Sequence, residues 1–324
     1  MPKKIFNGIA LVTDTCDPVV NGLIELYSII SEKYGVVFRV FKTGSWRSLR
    51  EVRDFTAYLG FDVIHIYMGY RDSIKLLLML LLIGKHKLLI FTERRWGSSR
   101  LANTILSLLL SIMRIGGRKV LLFYPTSYEK EVAPSIMGSH ERIHIDTYMV
   151  SEKPSLPLEL LSNEPLVLLI PLYKDISREY IDYLINTLRG IGLNVKAVLI
   201  GSRCVSTPYT LCIYTDSYSN YIRQVSLGVV MGSDPFSNKN ILELVSYGKP
   251  VIAYRDSSIA YTLLGSGLVY IVDKTDPDSI ASEIIDVINR MDLHKKILVN
   301  FKPPIMDKNE LADQLYRTIL KILL

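Results

Sequence analysis

Short segments of consecutive apolar residues are the feature that most limits how this chain of 324 residues can fold. DVIHIY at 62–67, KLLIFT at 87–92 and LVLLIP at 166–171 lack the polar–apolar alternation of a half-exposed strand. Strands that are apolar on both faces lie inside parallel sheets covered by helices on both sides. Helix-like segments such as 177–190 separate these strands. The alternation predicts βαβ units and doubly wound α/β sheets.

The chain is long enough for two domains of about 150 residues each. The strand–helix pattern lapses at 150–165, where three prolines stand among polar residues, and then resumes. This segment indicates a linker. We therefore expect one Rossmann-like domain over 1–155, a second over 156–305, and a C-terminal helix over 306–324 that packs back on the first domain.

Several functional classes lose support because their motifs are missing. The sequence has no GxGxxG after a strand and no GxxxxGK[ST], which argues against dinucleotide and P-loop sites. The five histidines lack metal-ligand spacing. The three cysteines are too few and too scattered for a disulfide framework, so we expect the protein to lie in a reducing cytoplasm. The apolar runs at 76–84 and 101–113 are shorter than the ~18–20 residues of a membrane span, so both predict buried helices.

One Asp-x-Asp motif, Asp276-Pro277-Asp278, has two interpretations. Such a pair could hold a divalent ion. It also immediately precedes a predicted helix at 279–291, where an aspartate caps the first turn and a proline occupies it. The capping interpretation is favoured, so no metal ligand is assigned.

The segment 227–254 carries the strongest functional pattern. A strand ends at Met231, and a helix begins near Ser237 or Asn238 and ends at Gly248. The start of a helix beside the carboxyl end of a strand can bind an anion. Glu243, further along this helix, could accept hydrogen bonds from a ribose, or it could be an ordinary surface carboxylate.

ELVSYGKPVIAY, at 243–254, resembles a segment of GT-B glycosyltransferases, particularly the retaining family 4. The resemblance implies two Rossmann-like doubly wound parallel-sheet domains facing a cleft. It matches Glu243 to the ribose-binding glutamate, and it leaves Asp234 as the nearest carboxylate for the transferred sugar. The backbone that would cradle the diphosphate belongs to Phe236, Ser237, Asn238 and Lys239.

The first half resembles the same family in order. The family's P-x-x-G-G turn corresponds to Pro18, Asn21 and Gly22, and the resemblance implies close approach of the Gly22 backbone to a donor or acceptor. A glycine that merely turns the chain is the alternative. His65, in DVIHIY, would lie in the cleft or be a core histidine, and Glu93 stands near the family's T-x-H segment as a polar candidate.

The second half adds candidates around the nucleotide. LLIPLYKDISREYIDYLI resembles the family's diphosphate-binding segment but lacks its Gly-Arg pair. Lys174 and Arg178 could replace that pair, or they could belong to a solvated helix start. The resemblance also places further residues near the nucleotide or its base, namely Gly201, Ser202, Tyr214 and Thr215.

The positive charge is confined to the first half. Residues 1–160 contain 21 basic and 15 acidic residues, whereas 161–324 contain 17 of each. Residues 71–119 hold ten basic residues against Asp72 and Glu93, around two apolar helices. This pattern suits docking on an anionic membrane surface, although a solvated basic face would look the same. It does not indicate nucleic acid.

These patterns and the family resemblance together imply a metal-independent, retaining glycosyltransferase that uses a UDP- or GDP-linked sugar. The enzyme would be cytoplasmic, either free or peripheral on the inner membrane face, and its acceptor could be a saccharide, a lipid or a protein. Two alternatives stay open. One is a nucleotide-sugar epimerase of the same fold, and the other is a degenerate domain that binds nucleotide or membrane without turnover.

Overall fold

The computed structural model describes residues 6–44, 46, 48–58, 60–83, 86–93, 100–133, 140–148, 166–172, 176–201, 204, 206–213, 219–299, 301–304 and 307–324. The chain divides into two compact units. Unit 1 comprises Met1–Thr147 and Met306–Leu324, and unit 2 comprises Tyr148–Ile305. The predicted linker at 150–165 lies outside the described residues.

Unit 1 is built on a six-stranded parallel sheet in the order β2-β1-β3-β4-β5-β6. Its strands are β1 (Gly8–Thr13), β2 (Val37–Lys42), β3 (Val63–Met68), β4 (Leu88–Glu93), β5 (Lys119–Tyr124) and β6 (Glu141–His144). The helices between them are α1 (Pro18–Tyr34), α2 (Leu49–Tyr58), α3 (Tyr70–Ile83), α4 (Arg100–Ile115) and α5 (Ser127–Val132). Every residue of β1 and β3 is buried, as expected of strands covered on both faces.

Unit 2 contains a second six-stranded parallel sheet, in the order β12-β11-β10-β7-β8-β9. Its elements are β7 (Leu166–Pro171), α6 (Arg178–Gly190), β8 (Val195–Ile200), β9 (Thr210–Ile213), α7 (Ser219–Ile222), β10 (Leu227–Val230), α8 (Pro235–Ser246), β11 (Val251–Tyr254), α9 (Ser258–Thr262), β12 (Val269–Val272), α10 (Pro277–Asn289) and α11 (Met291–Val299). The predicted stripe of α6 is buried, and it packs in a core shared with α10.

The last helix, α12 (Lys308–Leu323), belongs to unit 1 and packs along α1. The Lys33 ammonium and the Tyr34 hydroxyl lie 2.7 Å and 2.8 Å from carboxylate oxygens of Asp313. The ring of Tyr316 stacks on that of Tyr34 with centroids 3.7 Å apart. A charged and aromatic seam therefore joins the end of the chain to its first helix.

Two predictions about local structure need correction. Cys204 and Cys212 form a disulfide within unit 2, while Cys16 is free and exposed. Helix α4 is not buried all round, because Leu108 and Ile115 on one face are 59% and 87% exposed. Within the described residues, no helix combines the length and apolarity needed to cross a membrane.

Candidate functional site

The strand order of each sheet identifies where a ligand crevice opens. In an open α/β sheet, loops diverge between two neighbouring strands whose connections run in opposite directions, and ligands bind at the carboxyl ends there. In unit 2 these neighbours are β7 and β10, which end at Pro171 and Val230. In unit 1 they are β1 and β3. The segments that follow these four strands are therefore the candidate site regions.

The segment after β10 leads into α8, whose first turn is capped by Asp234. One carboxylate oxygen of Asp234 accepts hydrogen bonds from the backbone N–H groups of Phe236 at 2.8 Å and Ser237 at 3.3 Å. The other oxygen accepts one from the Ser237 hydroxyl at 2.6 Å. The Asn238 N–H donates to the Asp234 carbonyl, and Pro235 has no N–H. Every backbone donor of the first turn thus has a partner within the chain.

This capping revises the predicted diphosphate cradle. The N–H groups of Phe236 and Ser237, which the sequence assigns to phosphate, already bind a carboxylate of the same protein. A helix start is an anion site because its N–H groups lack partners. Here Asp234 is that anion, so phosphate could use these donors only by displacing it.

Asn238 is a buried connector. Its amide nitrogen donates to the hydroxyls of Tyr148 and Ser258, both at 3.1 Å, and its amide oxygen accepts from Ser257 at 2.7 Å. Ser257 in turn caps α9 through the Ala260 N–H. These bonds tie α8 to α9 beside the carboxyl end of β11, so the Asn238 side chain holds the starts of the two helices together.

Glu243 lies more than two turns into α8 and is 2% exposed. The Lys239 ammonium, one turn earlier, lies 3.7 Å from its carboxylate. This i,i+4 pair fixes the charged side chains of α8 relative to each other. The ribose role of Glu243 stays a prediction.

The segment after β7 leads into α6, which Ser177 caps through the Tyr180 N–H at 3.2 Å. Arg178 is exposed, and its guanidinium lies 3.4 Å from Asp182. The Tyr180 hydroxyl donates to the Thr275 carbonyl at 2.7 Å, and burial raises the pKa of this phenol. Arg178 is thus an exposed cation at a helix start that borders the β7–β10 crevice.

Gly201 directly follows β8. A Cβ there would lie 3.1 Å from the Leu172 Cβ, so close packing against the segment after β7 accounts for the glycine. Four other predicted ligand residues lie outside the described residues, namely Lys174, Ser202, Tyr214 and Thr215.

In unit 1, two aspartates after β1 hold the candidate edge together. Asp14 accepts a hydrogen bond from the Gly69 N–H at 3.0 Å, and Asp17 accepts one from the Tyr67 hydroxyl at 3.0 Å. Asp17 also caps α1 through the Val20 N–H. These bonds join the carboxyl ends of β1 and β3, which the sequence reading did not anticipate.

Asn21 and Gly22 lie in the first turns of α1 beside that edge. The Asn21 side chain is exposed, so it is open to a ligand. A Cβ on Gly22 would lie 1.8 Å from the Thr147 carbonyl oxygen. Close packing of α1 on the backbone at Thr147 therefore explains this glycine without a ligand.

His65 is a core histidine, the second of the two alternatives that the sequence left open. It is fully buried in β3, with Nδ1 2.8 Å from the Tyr27 hydroxyl and Nε2 2.9 Å from the Thr92 hydroxyl. Burial lowers the pKa of the imidazole to about 3. A neutral ring with both nitrogens bonded cannot exchange protons with a substrate at neutral pH. Glu93, the other candidate in this half, ends β4 at the carboxyl edge, and its side chain lies outside the described part.

A carboxylate that the sequence reading missed is Asp146, two residues after β6. Its Oδ1 is buried and has no hydrogen-bond partner within the described part of the chain, and burial raises the pKa of the carboxyl against the opposing effect of His144. A carboxyl group with a raised pKa near the carboxyl ends of strands is a candidate proton donor. Asp146 stands just before the predicted linker, and no motif around it marked it as a functional residue.

The Asp276-Pro277-Asp278 motif is a helix cap, as predicted. Asp276 accepts hydrogen bonds from the Ser279 N–H at 2.9 Å and the Ser279 hydroxyl at 2.8 Å. The backbone bond is the main reason that the pKa of Asp276 lies below its usual value. Among the described residues, no group of three or more histidine, cysteine or carboxylate side chains is placed to hold a metal ion.

The fold of this chain recurs in solved proteins. A glycosyltransferase from Rickettsia africae superposes with a TM-score of 0.66 at 13% identity, covering 98% of each chain. The fold is GT-B. A candidate UDP-N-acetylglucosamine 2-epimerase from Listeria monocytogenes gives 0.63 at 12% identity, covering 97% of this chain and 96% of the other. The Anabaena protein Alr3699/HepE in complex with UDP gives 0.62 at 11% identity, covering 97% of this chain and all of the other.

No protein-family model matches the sequence, and no curated protein matches it. The structural similarity establishes the GT-B fold. Because the sequence identities are only 11–13%, the reaction has to be argued from the residues.

Proposed function

We propose that the protein is a glycosyltransferase whose nucleotide-sugar donor binds to unit 2 at the β7–β10 crevice. The observation that carries this is the strand order of unit 2, which opens a crevice between two capped helix starts, α6 and α8. The Anabaena protein, which shares the fold, was solved with UDP and with UDP and glucose. These complexes support a UDP-linked donor here.

The capped α8 changes how the diphosphate would be held. Because Asp234 satisfies the first-turn donors, we infer that side-chain cations supply most of the neutralising charge. Arg178 is the described candidate, and Lys174 is proposed beside it. A flexible guanidinium can bind a diphosphate bidentately and stabilise the charge that grows on the leaving nucleotide. Glu243 is proposed to accept the ribose hydroxyls.

Transfer across a panel of UDP- and GDP-sugars tests this proposal. Nucleotide affinity should fall about tenfold, ~1.4 kcal/mol, in Glu243→Gln, because the variant loses a charge-assisted hydrogen bond. Glu283→Gln, on α10, which packs on α6, is the control and should bind normally. Equal affinities in the two variants would remove Glu243 from the nucleotide site.

The stereochemical outcome and metal independence are further parts of the proposal. The resemblance to the retaining family 4 favours retention of configuration at the sugar. Asp276 caps a helix, which supports a transfer reaction that does not use the Asp-x-Asp motif to hold a metal ion. Product anomers followed by NMR would decide retention. Activity that survives chelation would support the second part.

The epimerase alternative has its own observation, the structural similarity to the Listeria protein. An epimerase would change the sugar of UDP-N-acetylglucosamine without any acceptor. A transferase without acceptor would leave the sugar configuration intact apart from slow hydrolysis. One-dimensional NMR of UDP-N-acetylglucosamine incubated with the protein alone separates the two.

A domain that binds without turnover is favoured by the capping role of Asp234 and the buried position of His65. Two candidate catalytic groups are thereby engaged in structure. Nucleotide binding without sugar transfer from any donor in the panel would support this alternative.

We propose that unit 1 docks on an anionic membrane, which would fit a lipid-linked acceptor. The α4 apolar face, formed by Ile105, Leu108, Ile112 and Ile115, is exposed at helical spacing. Leu82 and Ile83 at the end of α3 are exposed as well, and α3 packs on α4. An apolar helix face in a segment with eight excess positive charges suits the surface of an anionic bilayer.

A further inference from the structure

A basic cavity lies at the amino-terminal edge of the unit 1 sheet, where β5 and β6 begin. Its volume is about 430 Å³, within the range of small-molecule sites. Its walls come from the end of α4, the turn before β5, the start of β6 and the end of α12. Ligands of the proposed transfer reaction would bind at the carboxyl ends of strands, so this cavity lies at the other edge of the sheet.

Positive charge dominates the lining of this cavity. Among the described lining residues, Glu141 contributes the one carboxylate, and four residues contribute cations, namely Arg114, Arg118, Lys119 and Lys321. Two helix carboxyl ends, those of α4 and α12, add about half a negative charge each. About two positive charges remain in excess, so the lining is matched to a dianion.

Two of these cations hold the walls in place. The Lys119 ammonium donates to the Ile322 carbonyl at the end of α12. One nitrogen of the Arg118 guanidinium donates to the Leu81 carbonyl at 3.1 Å. These two contacts tie α12 to β5, and the turn before β5 to α3, so the cavity walls are held in place by hydrogen bonds.

His140 gives the independent indication of a ligand. It lines the cavity and is only 6% exposed, yet neither ring nitrogen has a hydrogen-bond partner among the described residues. A buried polar group without a partner costs about 1–3 kcal/mol. Burial, followed by the nearby Arg114 and Arg142, lowers the pKa of this imidazole. An anion in the cavity would accept a hydrogen bond from the ring and offset the repulsion.

We propose that this cavity binds a phosphomonoester, held by Arg114, Lys321 and His140. At neutral pH a phosphate group carries about −1.5 to −2 charges and three strong acceptor oxygens, which match the charge excess and the unpartnered imidazole. The phosphate could belong to a free small molecule or to a lipid headgroup. The chemistry recognised by the protein is the same in both.

NMR of the histidine rings tests the proposal, with His140 assigned by its absence in His140→Asn. Titration with inorganic phosphate and with glycerol 3-phosphate should shift the His140 signals saturably and raise the pKa of His140, while His294 in unit 2 stays unchanged. Vesicles containing phosphatidic acid form the third arm. A shift only in that arm would identify a lipid headgroup as the source.

The double variant R114Q/K321Q should weaken the phosphate-induced shift at least tenfold. The matched control K196Q/K295Q removes two exposed lysines of unit 2 and should leave it unchanged. K321Q alone serves if the double variant does not fold by circular dichroism. No shift of His140 in any arm, or equal affinity in variant and control, would overturn the proposal. His140 reports on this cavity alone, so the result does not depend on whether unit 2 binds a nucleotide.

Discussion

The carboxylate of Asp234 accepts a hydrogen bond from the Ser237 hydroxyl at 2.6 Å and closes the first turn of α8 on itself. A residue matched to the contact with the transferred sugar therefore also has a structural duty. A carboxylate held by two N–H groups and a hydroxyl is fixed in orientation. It could still offer a remaining lone pair to a sugar hydroxyl.

The two duties of Asp234 can be separated by substitution. Asp234→Ala should lower the free energy of unfolding by about 1 kcal/mol, because the helix loses its cap. Asp234→Ser keeps a capping oxygen and should restore most of that stability. If Asp234 contacts the sugar, turnover is lost in both variants. Recovery of turnover in Asp234→Ser would show that the residue only caps α8. Thermal unfolding and sugar transfer provide the two readouts.

The sheets could be predicted from the sequence because their strands are apolar at consecutive positions. DVIHIY and LVLLIP became β3 and β7, and the α/β fold class with two parallel sheets is confirmed. Helix α11 was missed. Its one buried residue is His294, while Leu293 and Val299 are exposed, so no apolar stripe marks it. Periodicity detects only helices that bury a face.

The candidate site was less predictable, because function there depends on what each polar group touches. The sequence places Asp234 and the start of α8 together but does not show that the carboxylate binds the helix N–H groups. Similarly, a histidine at a strand gives no sign of whether its partners are Tyr27 and Thr92 or a substrate. Contacts between residues far apart in the chain decide both questions.

His65 should make stability depend on pH. Its pKa is about 3 in the folded protein, below the ordinary value of 6.5, so the unfolded chain takes up a proton first as the pH falls. Stability is therefore full above pH 6.5 and is lost towards pH 3, by up to about 1.4 kcal/mol per pH unit. His65→Gln can still bond to Tyr27 and Thr92 but does not titrate. Urea unfolding between pH 5 and 7 should give a flatter slope for the variant, and parallel slopes would contradict the burial argument.

Gly22 should tolerate no side chain. In an exposed helix, Gly→Ala stabilises by about 1 kcal/mol. Here the new Cβ would meet the Thr147 carbonyl oxygen at 1.8 Å, so α1 must move away from the backbone it packs on. We expect a loss of about 1–3 kcal/mol, as for other overpacked sites. Gly60→Ala is the control, since nothing lies within 4 Å of its Cβ position. Thermal unfolding of both variants checks the prediction, and equal melting temperatures would disprove it.

The α4 apolar face should control membrane binding. Leu108→Glu/Ile112→Glu places two carboxylates on this face, where they would be repelled by anionic lipid and would be costly to desolvate. Co-sedimentation with phosphatidylglycerol vesicles should fall at least tenfold. Leu293→Glu/Val299→Glu changes two exposed apolar residues of α11, outside unit 1, and should bind as the unmodified protein does. Binding by unit 1 should also weaken as salt screens the basic segment. Binding that ignores both salt and the α4 substitutions would mean that another surface meets the membrane, and no binding at all would leave the apolar face without a membrane role.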